Sequence, residues 1–216
     1  MVLGAGSKKA RVMIVSEAPG DEEDKYGWPF IGQAGDIITQ LLHDAGLLAR
    51  QLDLEEYDDL KKGELPVDTM LDVRRNLFIT NMVACRPPDN RDPSAPEMEA
   101  CWPRLAAQIM AVDPDLIIAC GKVAATFLVG RNVAVTEDHG TIFDAKMPGL
   151  FRDYTVPTMV ILHPAYLMRN ADYGPGGPWE GTYKDLEKAR EVLDLLGRAH
   201  RGADVASRDP REAGGA

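Results

Sequence analysis

Residues 10–20 read ARVMIVSEAPG, a short apolar run rich in branched side chains that stops at Ser16-Glu17-Ala18-Pro19-Gly20. A run this short, closed by Pro-Gly, predicts a buried strand feeding a turn. Three more segments have the same form. Residues 76–83 (NLFITNMV) run into a proline-rich loop, residues 116–119 (LIIA) follow the helix breaker Asp113-Pro114 and end at Cys120-Gly121, and residues 158–162 (TMVIL) end at His163-Pro164. Helical patterns lie between them. In 34–48 the residues Ile37, Ile38, Leu41, Leu42 and Leu47 share one face; 95–112 and 122–129 are similar, and 184–196 is an amphipathic closing helix. Strand-helix alternation predicts an α/β fold, a three-layer α/β/α sandwich on a central, mostly parallel four-stranded sheet. Ligands of such sheets bind at the carboxyl ends of the strands, which directs attention to the loops just named.

With 216 residues and 45% apolar composition, the chain is long enough for one sizeable core. One domain is expected over residues 1–200, interrupted by an acidic insertion at 51–75 with one short helix near 54–60, and a tail at 201–216 without periodicity is expected to be disordered. No stretch approaches the roughly eighteen uninterrupted apolar residues of a membrane span, and the first residues lack the order of a signal peptide, so a soluble, cytoplasmic monomer is expected. The net charge of -10 argues against a surface that binds nucleic acid everywhere. The charge is uneven, however. Asp21, Glu22, Glu23 and Asp24 form an acidic knot, and 51–75 carries eight acidic residues against four basic, whereas 85–104 and the stretch near Arg169 set arginines beside few carboxylates. Gly4-x-Gly6 and Ser7-Lys8-Lys9 do not make a phosphate loop, because the glycines precede the strand and no Gly-Lys-Ser/Thr follows it.

Cys85 and Cys101 bracket CRPPDNRDPSAPEMEAC, and Cys120 is the third cysteine. An odd number at irregular spacing in a reducing compartment is not a disulfide framework, which leaves half of a metal site or plain burial. Cys120, at the end of LIIAC, reads as a small buried apolar residue.

Four loops hold the polar candidates: SEAPGDEEDKYGWPFIGQAG (16–35), TNMVACRPPDNR (80–91), ACGKVAA (119–125) and LHPAYLMRN (162–170). Together, and in this order, they resemble the uracil-DNA glycosylase superfamily, most closely its iron-sulfur-containing family 4. The resemblance implies hydrolysis of the N-glycosidic bond of uracil in DNA during base excision repair. Alternatives are a glycosylase or transferase acting on another modified base, or a non-catalytic member that binds DNA or a protein. It implies that Ala18, Pro19 and Gly20 line the substrate, that Phe30 stacks on the extruded base and that Asn81 reads its edge. His163 would stabilise charge developing at O2, Leu167 and Met168 would wedge into the minor groove, and Arg169 would meet a phosphate, as could Arg86 and Arg91.

The chemistry agrees with these roles. An amide can donate to one atom of the uracil edge and accept from the next, and a donor held near O2 favours the transition state over the ground state. Taken singly, Phe30 reads as a core residue, Asn81 as a residue that satisfies its own turn, and His163 as structural. Where the better-known branch of the superfamily carries a water-positioning Asp, this chain has Ala18, so Glu17 and Glu23 are the expected catalytic acids. Asp21 and Glu22 read as a solvated turn. Ser16 stands where the family usually has Gly, which puts rate in question more than fold. The family also implies a four-iron, four-sulfur cluster on four cysteines, with Cys85 and Cys101 as the second pair. A cluster is expected only if two further ligands lie upstream of Met1; otherwise Cys85 and Cys101 are plain thiols.

Overall fold

All five residues of β2 (Val12–Ser16) are buried. A pleated strand sends alternate side chains to opposite faces, so both faces of this sheet need a cover. Val12 and Ile14 join one apolar cluster, Met13 and Val15 the other. The same sorting recurs on β3 (Leu77–Asn81), β4 (Leu116–Cys120) and β6 (Thr155–Ile161): Leu77, Ile79, Leu116, Ile118, Met159 and Ile161 face one way, and Phe78, Ile117, Ala119 and Val160 the other. In the computed structural model of the protein, which describes residues 1–146 and 155–206, these four strands run parallel in the spatial order β3-β2-β4-β6.

Among the described residues the sheet has six strands rather than the expected four. Two-residue β1 (Ala5–Gly6) pairs antiparallel with β3, and β5 (Ile142–Lys146) pairs antiparallel with β6, so each edge of the parallel core is closed by a reversed strand. Neither carries a signal in the sequence: Ala-Gly has no apolar alternation, and IFDAK is a half-polar edge segment. The glycines at 4 and 6 thus serve strand contact. A Cβ on Gly6 would strike the Leu77 carbonyl, and Gly6 has a φ of +135°.

One face is covered by α2 (Gln33–Asp44) through Ile38, Leu41 and Leu42, by α8 (Pro164–Arg169) through Leu167, and by α9 (Pro178–Ala206) through Leu186, Ala189 and Leu193. The other is covered by α5 (Ala95–Val112) through Leu105 and Ile109, and by α6 (Gly121–Val129) through Ala124, Ala125 and Leu128. Helix α9 continues to Ala206, six residues into the stretch expected to be disordered; residues 207–216 lie outside the described residues. No helix among the described residues is long and apolar enough to cross a membrane.

The 51–75 segment folds into two helices where one was expected, α3 (Leu54–Lys62) and α4 (Val67–Val73). Asp53 starts α3 with a reciprocal cap: Glu56 N–H donates to its carboxylate at 2.9 Å, and Asp53 N–H donates to Glu56 at 3.0 Å. Leu60, Leu65 and Met70 then build a third, smaller core against Ile31, with Tyr26, Trp28, Leu52 and Tyr57 packed around it. Its partner, Ile31, belongs to the first polar loop.

Candidate active site

A cleft of ≈ 730 Å³ opens at the carboxyl ends of the parallel strands, and Glu17, Phe30, Asn81 and His163, from separate stretches of chain, all line it. Ala18, Pro19 and Gly20 complete the wall at the end of β2, with Met168 and Arg169 on the far side. Ser16 N-terminal to this turn is tied to the next strand, since Met82 N–H donates to Ser16 O at 2.8 Å and Val83 N–H to Glu17 O at 3.2 Å.

Phe30 occupies left-handed backbone at φ 54°, a conformation that costs a non-glycine residue on the order of 1 kcal/mol or more. The surrounding contacts hold it there. Arg74, fully enclosed, donates from Nη2 to Pro29 O at 2.5 Å. On the other side the Glu23 carboxylate accepts from Ile31 N–H at 3.0 Å, Gly32 N–H at 2.8 Å and Gly20 N–H at 3.1 Å. Tyr57 of α3 donates its hydroxyl to Ile31 O at 3.0 Å. Glu23, expected to orient a water, lines the cleft, and both of its oxygens accept backbone N–H bonds that brace the loop. The insertion carrying Tyr57 and Arg74 is part of that brace, which sequence reading missed. Helix α2 approaches Phe30 so closely that a Cβ on Gly35 would overlap the Phe30 carbonyl.

His163 caps α8. Ala165 N–H donates to its Nδ1 at 3.1 Å, so in the neutral ring the proton sits on Nε2, which lies 3.2 Å from Ser16 Oγ and donates to it. Burial, with the nearby positive charge of Arg169, pushes the imidazole down to about 4. The ring is therefore a neutral donor at physiological pH. Gly121 makes room for it: a Cβ there would come within 2.9 Å of His163 Cβ and 3.0 Å of Cδ2, and Gly121 has a φ of +84°. Nothing in ACGKVAA except the glycine itself marked that role.

Asn81 is buried at the end of β3. Its backbone is fixed by Arg104 of α5, whose Nη2 donates to Asn81 O at 2.6 Å and Met82 O at 2.9 Å while Nη1 donates to Thr80 Oγ1 and Gln108 Oε1. Arg104 was not anticipated. Glu17, half-buried, is pushed up to about 7, chiefly by burial and then by the negative charge of Asp92. At neutral pH it can give or take a proton, as a group near its midpoint does.

The outer residues divide. Leu167, one of the two expected wedge residues, is 1% exposed and packs in the core, because α8 starts at Pro164 and turns that side chain inward; Met168, the other, is 42% exposed. Arg169 is exposed at the end of α8. Arg86 pairs with Asp21 and with Asn90, and Arg91 forks onto Glu97 at 2.7 and 2.8 Å, so each already has an acceptor. Lys61 of α3 also lines the cleft, paired with Glu22 and set over the Tyr26 and Tyr57 rings.

Cys85 is exposed, Cys101 half-buried, and Cys120 fully buried at the end of β4, its thiol held protonated by burial. No group of three or more His, Cys, Asp or Glu among the described residues could hold a metal ion. Two accessible thiols do not match the four thiolates of a cubane cluster, so the chemistry below involves none.

The sequence profile of the uracil DNA glycosylase superfamily matches residues 3–192. The chain is 36% identical over 198 residues to a Type-4 uracil-DNA glycosylase of Thermotoga maritima, covering 91% of this chain and 85% of that protein. It is 32% identical over 194 residues to the Type-4 uracil-DNA glycosylase of Saccharolobus solfataricus, covering 89% and 76%. With that of Pyrobaculum aerophilum it shares 36% identity over 168 residues, covering 78% and 73%.

Proposed function

The chain belongs to the uracil DNA glycosylase superfamily, and on that premise we propose that it hydrolyses the bond between uracil and deoxyribose in DNA, the opening step of base excision repair after cytosine deamination. The observation that carries the reading is the meeting of Glu17, Phe30, Asn81 and His163 in one cleft. A duplex hides its glycosidic bonds, so the uridine must leave the stack and enter that cleft. Phe30 offers a ring for its face, and Asn81 an amide for its O4 and N3–H edge.

As the N1–C1′ bond breaks, its electron pair moves onto the base and charge grows at O2. His163 donates Nε2–H there in place of Ser16 Oγ, its acceptor when no base is bound; being already neutral, the ring needs no change of protonation as the charge develops. Glu17, ionised, orients a water, takes its proton as the O–C1′ bond forms, and returns that proton to solvent. Met168 fills the gap in the stack and Arg169 meets the backbone. The protein acts as a monomer in the cytoplasm. The test is release of free uracil from a uracil-containing oligonucleotide, followed by chromatography. The unaltered protein releases it, and Asn81→Ala and His163→Ala each lower the single-turnover rate about 10²–10³-fold, the usual loss for one transition-state donor. Absence of release from both single- and double-stranded substrate by the unaltered protein sinks the reading.

A further inference from the structure

Ser16, the last residue of β2, is 1% exposed and lines the cleft. Its register partner on β3 is Asn81, and residues paired in this way on parallel strands send their side chains to the same face, about 4.8 Å apart. That face is the one on which Ile14, Ile79 and Phe30 pack. His163 reaches Ser16 from the opposite side: it follows β6, lies against Gly121 at the end of β4, and brings Nε2 within 3.2 Å of Ser16 Oγ. Asn81, Ser16 and His163 therefore stand in a row across the cleft, with the serine in the middle.

The direction of the Ser16–His163 bond leaves one proton over. Ala165 N–H donates to Nδ1, so the ring proton is on Nε2 and Ser16 Oγ accepts it. The serine's own O–H is not spent on the histidine. Among the described residues Oγ has no second hydrogen-bond partner. Its backbone is fixed as well, by the ladders to β3 and β4 on either side and by Met82 N–H, which donates to Ser16 O at 2.8 Å.

We infer that Ser16 is a second donor to O2 of the extruded base, so that His163 Nε2–H and Ser16 Oγ–H together cradle the charge on that one oxygen. The inference rests on the glycosylase reading of the cleft. Along the uracil edge O4, N3–H and O2 follow one another; with Asn81 on the first two, the next place in the row is that of Ser16, and the next atom is O2. When the base enters, O2 replaces Oγ as the acceptor of Nε2–H, and the freed hydroxyl turns about its Cβ–Oγ bond to donate to the same atom. Donors this close together can both reach one oxygen at about 2.8–2.9 Å. As N1–C1′ breaks, its electron pair moves onto the base and both donors keep their protons; the base leaves as an anion that takes a proton from solvent. Until then the serine keeps Nε2–H aimed into the cleft, so neither donor has to be recruited when charge develops.

Two readouts on the full chain test this. In the ¹H–¹⁵N spectrum of the His163 ring, recorded on the free protein, the Nε2–H proton should move upfield in Ser16→Ala, which removes its acceptor. Single-turnover release from a uracil-containing oligonucleotide should fall about tenfold or more in Ser16→Ala, and by a similar factor when the same change is made in His163→Ala, because the hydroxyl still meets O2 there. Ser16→Cys fills the same space with a weak donor and should be as slow as Ser16→Ala. A loss that vanishes in the His163→Ala background would mean that the serine only aims the ring, and a parental rate in Ser16→Cys would mean that it only fills space; either result overturns the second donor. If the ring signal moves but the unaltered protein releases no uracil, the glycosylase reading fails and the second donor with it. If the unaltered protein releases uracil and Ser16→Ala keeps pace, the second donor alone falls.

Discussion

A single absent methyl group decides how the imidazole of His163 sits. Gly121 opens α6 with left-handed backbone and leaves the histidine ring just enough room, so Gly121→Ala strains the turn and pushes the ring in one substitution. The expected result is a fall in single-turnover uracil release of at least about tenfold, with the Ala165-to-Nδ1 hydrogen bond disturbed in the ¹⁵N spectrum of His163, a loss worth about 1–2 kcal/mol of transition-state binding. An unchanged rate would show that the ring has more freedom than the contacts allow. His163 itself was legible as a strand-end residue in LHPAYLMRN. Its protonation was not, because that depends on Ala165 and on burial, neither of which is visible in the order of letters.

Among elements, the instructive case is the pair α3 and α4. In the sequence, 51–75 is acidic and looks like an excursion from the fold, since Leu60, Leu65 and Met70 are too widely spaced to signal a core by themselves. Packed on Ile31 they become one, and Tyr57 and Arg74 reach the Phe30 loop from it. Tyr57→Phe keeps the ring and removes the bond to Ile31 O. It should cost about 1 kcal/mol in chemical denaturation and lower uracil release by several fold, while the far-UV circular dichroism stays the same. A stability loss without any change in rate would mean that the insertion supports the fold and not the loop. The four parallel strands were legible because each is a dense apolar run ending in a turn. The edge strands were not: β1 has two residues, and β5 is half polar. The Leu167 wedge failed for a similar reason, as LMRN does not reveal that a helix starts at Pro164 and turns its first leucine inward.

For the whole molecule, the cleft exacts a cost in stability that depends on pH. Between its ordinary value of 4.5 and about 7, Glu17 keeps a proton in the folded protein that the unfolded chain has released. Folded protein binds more protons than unfolded across that window, so this group's contribution falls as pH rises through it, reaches its full penalty above 7, and vanishes below 4.5. Glu17→Gln removes the ionising group. The variant should melt at a higher temperature than the parent at about pH 8 and at nearly the same temperature at about pH 4, as scanning calorimetry would show, while losing uracil release. A difference that is constant with pH would indicate that the carboxyl is not strained when ionised.

The bracing of Phe30 also bears on which uracils are easiest to remove. Arg74, Glu23 and Tyr57 immobilise the loop from three sides before any DNA arrives, so the protein has little left to rearrange when a base enters. Nearly all of the motion, and nearly all of its cost, then falls on the nucleic acid. A slot of this kind sorts its targets by how loosely they are held in their own strand: uracil in single strands should be released fastest, uracil mispaired with guanine next, and uracil paired with adenine slowest when the three are assayed side by side. Equal rates for all three would mean that the slot is not rigid. Selectivity for the products of cytosine deamination, which arise opposite guanine, would then come from the immobility of one aromatic ring.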